Sequence, residues 1–65
     1  MNLSIIIITF NSGKYIRNCL DSILKSLKHS KEYEIIIFDN NSTDDTIDTC
    51  EAYNNSIRII CNTSN

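Results

Sequence analysis

Glycine and proline are almost missing from this sequence, and their shortage excludes the commonest phosphate-binding loops. Proline is absent, and glycine occurs once, as Gly13. A G-x-G-x-x-G turn and a P-loop both need several glycines, because backbone amides must come close to phosphate oxygens. One glycine cannot supply either loop. A diphosphate bound by this chain would need another neutralising group, most simply a metal ion, and the sequence shows no convincing metal site.

The sequence also lacks a basic cluster and a long apolar run. Its net charge is −2, which excludes general nucleic-acid binding through phosphate neutralisation. No apolar run approaches the ~18–20 residues that a membrane-spanning helix needs. No basic segment precedes the apolar residues 3–8, so a secretory signal is not indicated. These absences predict a soluble, cytoplasmic chain.

Cysteine is too sparse for a disulfide framework. The three cysteines, Cys19, Cys50 and Cys61, are odd in number and far apart in the sequence. A secreted domain of this size normally carries an even and denser set. With His29 as the only histidine, the spacing does not fit zinc either. We expect three reduced cysteines that pack as small hydrophobic residues.

What the sequence does contain is a regular alternation of apolar runs and helical spacing. Residues 3–9 (LSIIIIT) form a continuous β-branched run, typical of a strand buried on both faces of a parallel sheet. Apolar residues at Ile16, Leu20, Ile23 and Leu27 then predict a helix over residues 14–28, with Ser12 as its N-cap. The remaining predicted elements are a strand over 34–39, a short helix to about residue 53 that starts with a Ser42–Asp45 capping box, and a strand over 57–61.

This order, β-α-β-α-β, predicts an α/β fold. Helical crossovers between buried strands imply a parallel sheet with right-handed connections, and we expect three layers with helices above and below the sheet. The carboxyl ends of parallel strands meet at one edge, where ligands bind in such folds. Residues 9–11, residues 39–41 and Asn62 would gather there.

Asp39 is the most informative residue at this predicted edge. It ends the second strand about thirty residues after the first strand ends, where a carboxylate can accept hydrogen bonds from a nucleoside. A turn aspartate that bonds its own backbone is an equally good interpretation. Thr9 and Phe10 could offer backbone groups and a ring face to a base, or could simply end the strand. Asp44 and Asp45 are more typical of a helix start than of a metal site.

The segments SIIIITFNSGKYIRNCLDSIL (residues 4–24) and YEIIIFDNNSTDDT (residues 33–46) together resemble the start of a known family. In GT-A fold glycosyltransferases of family 2, an apolar strand leads into T-Y-N and then a helix with C-L-x-S-I-L. A second apolar strand follows and runs into D-D-G-S-T-D or D-N-x-S-T-D. Each motif is weak alone, but their order and spacing are specific, and the resemblance covers nearly the whole chain.

The resemblance implies a nucleotide-sugar site formed by five residues, namely Thr9, Phe10, Asn11, Asp39 and Asn40. Thr9, Phe10 and Asn11 would line the nucleotide pocket, and Asp39 would accept the N3–H of uracil or thymine. Phe10 replaces the commoner tyrosine. Asn40 replaces the commoner second aspartate, as in rhamnosyltransferase-like members, which favours a dTDP-sugar donor, with UDP-sugars close behind.

The same resemblance marks what residues 1–65 lack. The family's D-x-D motif and catalytic base lie downstream, so no catalytic residue and no metal ligand is assigned here. We interpret residues 1–65 as the N-terminal nucleotide-binding portion of a truncated glycosyltransferase, with a Rossmann-like half-fold. The full-length enzyme would use Mg²⁺ or Mn²⁺ and transfer sugar to a saccharide or lipid-linked acceptor, either in the cytoplasm or peripherally at the inner face of the membrane. This chain alone would bind no metal and be inactive.

Two other interpretations compete with a glycosyltransferase. A non-catalytic βαβαβ module would bind a nucleotide or only self-associate. A phosphorylated receiver domain is disfavoured, because it needs paired acidic residues where this chain has residues 9–11 (TFN). In a truncated chain the first strand would become an open edge, and open edges pair with other chains. We therefore expect a homo-oligomer.

Overall fold

The computed structural model describes residues 3–29 and 32–63, and it confirms the α/β fold with a parallel βαβαβ order. The three strands form one sheet in the order β1-β2-β3. In register, Thr9 lies beside Asp39, and Asp39 lies beside Cys61, so the three strands end together. The elements are β1 (Leu3–Thr9), α1 (Ile16–Ser26), β2 (Tyr33–Asp39), α2 (Thr46–Glu51) and β3 (Arg58–Cys61).

One hydrophobic core lies between the helices and one face of the sheet. Helix α1 contributes Ile16 and Leu20, which are one turn apart and fully buried. Strand β2 contributes Ile35 and Ile37, which are two residues apart and therefore point to the same face. The rest of the buried core consists of Leu27, Cys50 and Ile57.

The expectation of helices on both faces of the sheet is wrong for the described residues. Ile5 and Ile7 pack against the core with β2's odd-numbered isoleucines, whereas Ile6 and Ile8 on the opposite face are 65% and 70% exposed. Because β1, β2 and β3 are consecutive neighbours, both right-handed crossovers run the same way and place both helices on one side. We call the helix side the covered face and the other side the open face.

Both helices begin later than the sequence suggested. Helix α1 has Tyr15 as its N-cap, and the hydroxyl of Ser12 lies beside the Phe10 carbonyl instead of capping the helix. The predicted capping box is also wrong, because Ser42 bonds to Asp39 and is too far ahead of Thr46, where α2 begins. Neither helix in the described ranges is long and apolar enough to cross a membrane.

The cysteines are free, but only one of them packs as predicted. Cys50 is buried in the core, and burial, with the nearby Asp39 charge, raises the pKa of its thiol to about 11. It therefore stays protonated and unreactive at neutral pH. Cys19 and Cys61 are exposed, so the expectation that they pack as small hydrophobic residues is wrong for these two.

Candidate functional site

The carboxyl edge of the sheet brings the predicted site residues together. The parallel ladder continues one step beyond the strands: Asn40 N–H donates to the Thr9 carbonyl at 2.9 Å, and Asn62 N–H donates to the Asp39 carbonyl at 2.7 Å. The three residues that directly follow β1, β2 and β3 therefore form a row, namely Phe10, Asn40 and Asn62. The convergence predicted from the strand order is confirmed.

Asp39 lies inside this edge with its carboxylate turned toward the protein. The Thr9 hydroxyl donates to Asp39 Oδ1 at 2.5 Å, and the Ser42 hydroxyl donates to the same oxygen at 2.6 Å. The Ser42 N–H donates to Asp39 Oδ2 at 2.8 Å. Asp39 is 1% exposed and Thr9 is also buried. A carboxylate accepts about four hydrogen bonds, so three are used and one site on Oδ2 is left.

These donors decide the charge state of the buried carboxylate. Burial alone would raise the pKa of Asp39, but hydrogen bonds from Ser42 and Thr9 outweigh it and hold the pKa below its ordinary value. Asp39 is therefore ionised at neutral pH. An ionised buried carboxylate with this many donors fixes the groups around it, here the end of β1 and the loop after β2.

The β1–α1 and β2–α2 loops are joined by hydrogen bonds from consecutive residues. Asn11 N–H donates to Ser42 Oγ at 2.8 Å, and the Asn11 side-chain oxygen accepts the Thr43 N–H at 2.8 Å. Ser12 N–H donates to Thr46 Oγ1, also at 2.8 Å. The two loops therefore form one polar unit at the carboxyl edge.

The open face carries the accessible side chains of the edge. The alternation of the strands, continued one residue beyond their ends, puts Phe10, Asn40 and Asn62 on the same side as Ile8, away from the helices. Phe10 is 59% exposed, while the two asparagines are half-buried. Asn62 Nδ2 donates to Asn40 Oδ1 at 3.2 Å, which sets the orientation of the Asn40 amide. A ring face beside two coupled carboxamides can stack on a planar ligand and bind its polar edge.

The carboxylates after β2 take structural positions. Asp44 Oδ1 accepts the N–H and the hydroxyl of Thr46, and Asp44 Oδ2 accepts the Gly13 N–H at 3.0 Å. These bonds, led by that of the Thr46 hydroxyl, lower the pKa of Asp44. Asp45 is the N-cap residue of α2. Within residues 3–29 and 32–63, no group of three or more acidic, histidine or cysteine side chains is placed to hold a metal ion.

Comparison with known proteins identifies the family. The family model described as glycosyl transferase family 2 matches residues 4–65, nearly the whole chain. The chain belongs to glycosyl transferase family 2. The resemblance predicted from the strand-end motifs is thus confirmed.

Curated transferases from different organisms are similar to this chain. The poly(ribitol-phosphate) β-N-acetylglucosaminyltransferase TarS of Staphylococcus aureus is 37% identical over 59 residues, which cover 91% of this chain and 10% of TarS. A dolichyl N-acetyl-α-D-glucosaminyl phosphate diacetamidodideoxyglucuronosyltransferase of Methanococcus voltae is 50% identical over 46 residues, which cover 71% of this chain and 14% of that enzyme.

Solved structures of TarS superpose on the whole family 2 chain. S. aureus TarS 1–349 in complex with UDP matches with a TM-score of 0.88 at 34% identity, covering 100% of this chain and 20% of the TarS chain. The same protein in complex with UDP-GlcNAc matches with a TM-score of 0.84 at 33% identity, covering 100% and 19%. The chain therefore spans a fifth or less of the relatives it matches here.

The structure brings all five predicted site residues of this family 2 chain to one edge, but it gives them different surroundings. Thr9 and Asp39 are buried and bonded to each other, whereas Phe10 and Asn11 are exposed and Asn40 is half-buried. Sequence reasoning gave Ser42 a role only in its own loop and helix start and gave Thr46 none, so it missed that their hydroxyls join the two loops. The available signal was the concentration of serine, threonine and asparagine in residues 40–46, which are side chains that bond to nearby backbone groups.

Proposed function

We propose that residues 1–65 form the donor-nucleotide portion of a glycosyltransferase and bind the base of a UDP- or dTDP-sugar at the carboxyl edge of the sheet. The main support for this proposal is a row of three side chains on the open face: the exposed ring of Phe10 and the hydrogen-bonded amides of Asn40 and Asn62. They lie at the edge of the sheet where α/β folds bind ligands. Family membership and the UDP complexes of TarS support the choice of a nucleotide-sugar. The acceptor would be a saccharide or a lipid-linked saccharide.

The accessible residues fit the base directly. The Phe10 ring offers a face on which a pyrimidine can stack. The Asn62 bond uses one lone pair of Asn40 Oδ1, so the second can accept the N3–H of uracil or thymine while Asn40 Nδ2 donates to a neighbouring carbonyl of the base. The predicted contact of Asp39 with the base stays a prediction. Its burial and three internal hydrogen bonds favour a supporting role, with Oδ2 as its one remaining acceptor site.

The residues at the carboxyl edge say more about the base of the donor than about its sugar. Uracil and thymine both present an N3–H between two carbonyls, so the edge accepts UDP and dTDP alike. Cytosine in the same position presents an acceptor at N3 to the Asn40 oxygen, so it would have to shift, or the Asn40 amide would have to turn and give up its bond from Asn62. The TarS complexes favour UDP, and the Asn40 variant of the motif favours dTDP-rhamnose.

The divalent metal that the family resemblance implies does not fit the described residues. Both oxygens of Asp44 already accept hydrogen bonds, and within residues 3–29 and 32–63 no group of three or more Asp, Glu, His or Cys side chains is placed to hold a metal ion. No catalytic step is assigned to this chain's own residues. Mg²⁺ or Mn²⁺ would belong with residues outside the described ranges.

Nucleotide titration of the 65-residue chain tests the proposed site. By isothermal calorimetry we expect UDP and dTDP to bind more tightly than CDP, and Asn40→Ala to weaken UDP binding by about tenfold, the value of one net hydrogen bond of ~1.4 kcal/mol. Asn55→Ala removes an exposed amide from the α2–β3 connection and should leave binding unchanged. Absence of UDP and dTDP binding, or equal losses in the two variants, would falsify the assignment.

We also infer that the chain self-associates through β1. Among the described residues β1 pairs only with β2, so its other edge offers unsatisfied backbone groups beside the exposed Ile6 and Ile8. A second copy offers an identical edge, which suits two-fold pairing. Light scattering after size exclusion should show a dimer that Ile6→Lys converts to monomer. A monomer at high concentration would refute this.

The unpaired cysteines fit a reducing compartment such as the cytoplasm.

A further inference from the structure

Asn11 stands between the accessible ring of Phe10 and the helix that follows, and it has an unusual backbone. Its φ is 48°, in the left-handed region, which asparagine tolerates better than most residues. That conformation turns both its N–H and its side chain toward the β2–α2 loop. The side-chain oxygen accepts the Thr43 N–H at 2.8 Å and the Asp44 N–H at 3.4 Å, while the backbone N–H donates to Ser42.

The next residues continue the same contact. Ser12 N–H donates to Thr46 Oγ1, and Gly13 N–H donates to Asp44 Oδ2. The loops approach so closely at Gly13 that an added Cβ would lie 2.1 Å from Asp45 Oδ1. Three consecutive residues after Phe10 therefore hold the loop that follows Asn40. We call this set of contacts the loop clasp, made by Asn11, Ser12 and Gly13 with Ser42, Thr43, Asp44 and Thr46.

We propose that Asn11 is a positioning residue for nucleotide binding, which acts by holding the β2–α2 loop and does not bond to the nucleotide. This inference rests on the proposed function and changes the role that the family resemblance gave to Asn11. Its side-chain oxygen already accepts two backbone N–H groups, so that oxygen is committed to the loop. The sheet ladder already aligns the backbones of Phe10 and Asn40, and Asn11, by fixing the loop, holds the chain that continues from each of them.

The chain supplies a matched control in Asn41. Asn41 also has a left-handed backbone, with φ 57°, and it is exposed at the same edge. Its side chain takes no part in the loop clasp as the described residues define it. Replacing either asparagine with glycine keeps the left-handed backbone accessible. Only the change at Asn11 removes the acceptor for the Thr43 and Asp44 amides.

Three variants of the full 65-residue chain separate a positioning role from direct binding. We expect Asn11→Gly to weaken UDP binding at least fivefold, while Asn41→Gly stays within about twofold of the parent chain. Asn11→Asp keeps an acceptor oxygen and tolerates the same backbone, but it loses the amide donor. Because the added carboxylate would also repel the diphosphate of UDP, Asn11→Asp and Asn11→Gly are compared on uridine, which carries no phosphate, and positioning predicts that Asn11→Asp retains uridine affinity within about twofold. A loss in Asn11→Asp as large as in Asn11→Gly would mean that the amide donates to the nucleotide, and would overturn the proposal.

Amide hydrogen exchange, followed by NMR without nucleotide, provides the independent readout. Exchange of the Thr43 and Asp44 amides should accelerate at least fivefold in Asn11→Gly and stay near the parent rate in Asn11→Asp and Asn41→Gly. Unchanged exchange in Asn11→Gly would overturn the loop clasp even if UDP binds. If the parent chain does not bind UDP, the proposed function fails, and the inference that rests on it fails as well. If the Thr43 and Asp44 amides still exchange faster in Asn11→Gly in that case, Asn11 is only a structural link between the loops.

Discussion

Isoleucine lines both faces of the sheet, but it is buried on the covered face and exposed on the open face. Ile35 and Ile37 on the covered face are 1% and 0% exposed, whereas Ile6 and Ile8 on the open face are the most exposed isoleucines of the strands. Residue identity in an isoleucine run therefore does not decide burial. The direction of the two crossovers does, because it places both helices on one side.

The polar residues repeat this contrast. Asp39 on the covered face and Glu34 on the open face each accept a hydrogen bond from a serine hydroxyl, at 2.6 Å from Ser42 and 2.8 Å from Ser4. The first pair closes the end of the sheet and ties down a loop. The second pair lies exposed at the other end of the strands. Similar bonds thus have different structural importance, and substitutions on the two faces measure the difference.

The largest difference should come from the isoleucines. Ile37→Ala should lower the free energy of unfolding by about 2–5 kcal/mol, because it leaves a cavity in the core. Ile8→Ala should cost less than about 1 kcal/mol, the span of strand propensity. Urea denaturation followed by circular dichroism, at low micromolar concentration, measures both.

A milder variant of Ile37 and a second protein concentration for Ile8→Ala complete the comparison of the two isoleucines. If Ile37→Ala does not fold, Ile37→Val should still show a loss of about 0.5–1.5 kcal/mol. Equal losses at Ile37 and Ile8 would contradict the exposure of the open face. Repeating the Ile8→Ala measurement at high concentration would then show whether a second copy covers that face.

A smaller effect should appear as a dependence of stability on pH. Asp39 and Asp44 both have lowered pKa values in the folded chain, the first through its Ser42 and Thr9 donors against the opposing effect of burial. A lowered pKa stabilises the fold above the ordinary value of about 3.9, and this stabilisation is lost as the pH falls through the folded pKa. The free energy of unfolding should therefore be steady at neutral pH and decline below about pH 4.

The matched variants for this pH effect lie on opposite faces. Asp39→Asn removes the titrating group and should make the acid decline shallower. Glu34→Gln on the open face, which breaks only an exposed bond to Ser4, is the control for removing a carboxylate. A slope that is equally steep in Asp39→Asn would show that another group controls acid stability.

Much of this fold could be predicted from the sequence because its signals are local. Runs of isoleucine bounded by polar turns gave the strands, and the spacing from Ile16 to Leu27 gave the main helix. Parallel pairing and the shared carboxyl edge followed from the helical crossovers. The helix starts were missed because Ser12 and Ser42 have nearby partners that compete with capping: Ser12 lies beside Phe10, and Ser42 bonds to Asp39.

The candidate site was predicted by position better than by role. Asp39 shares strand parity with Ile35 and Ile37, so alternation alone could have placed it on the covered face. Asn40, one residue later, has the opposite parity and lies with the accessible side chains. The role of Asn11 depends on a contact across 32 residues and on a left-handed backbone, and neither is visible in a local pattern.

The smallest contrast concerns the two serines. Ser42→Ala removes the hydroxyl that donates to buried Asp39 and accepts the Asn11 N–H, so we expect a loss of about 1 kcal/mol in the free energy of unfolding. Ser4→Ala removes an exposed bond to Glu34 and should change it by less than about 0.5 kcal/mol. Urea denaturation at pH 7 compares the two variants. Equal losses would mean that the carboxyl edge is no more ordered than the exposed end of the strands, and the case for a preformed nucleotide site would lose its basis.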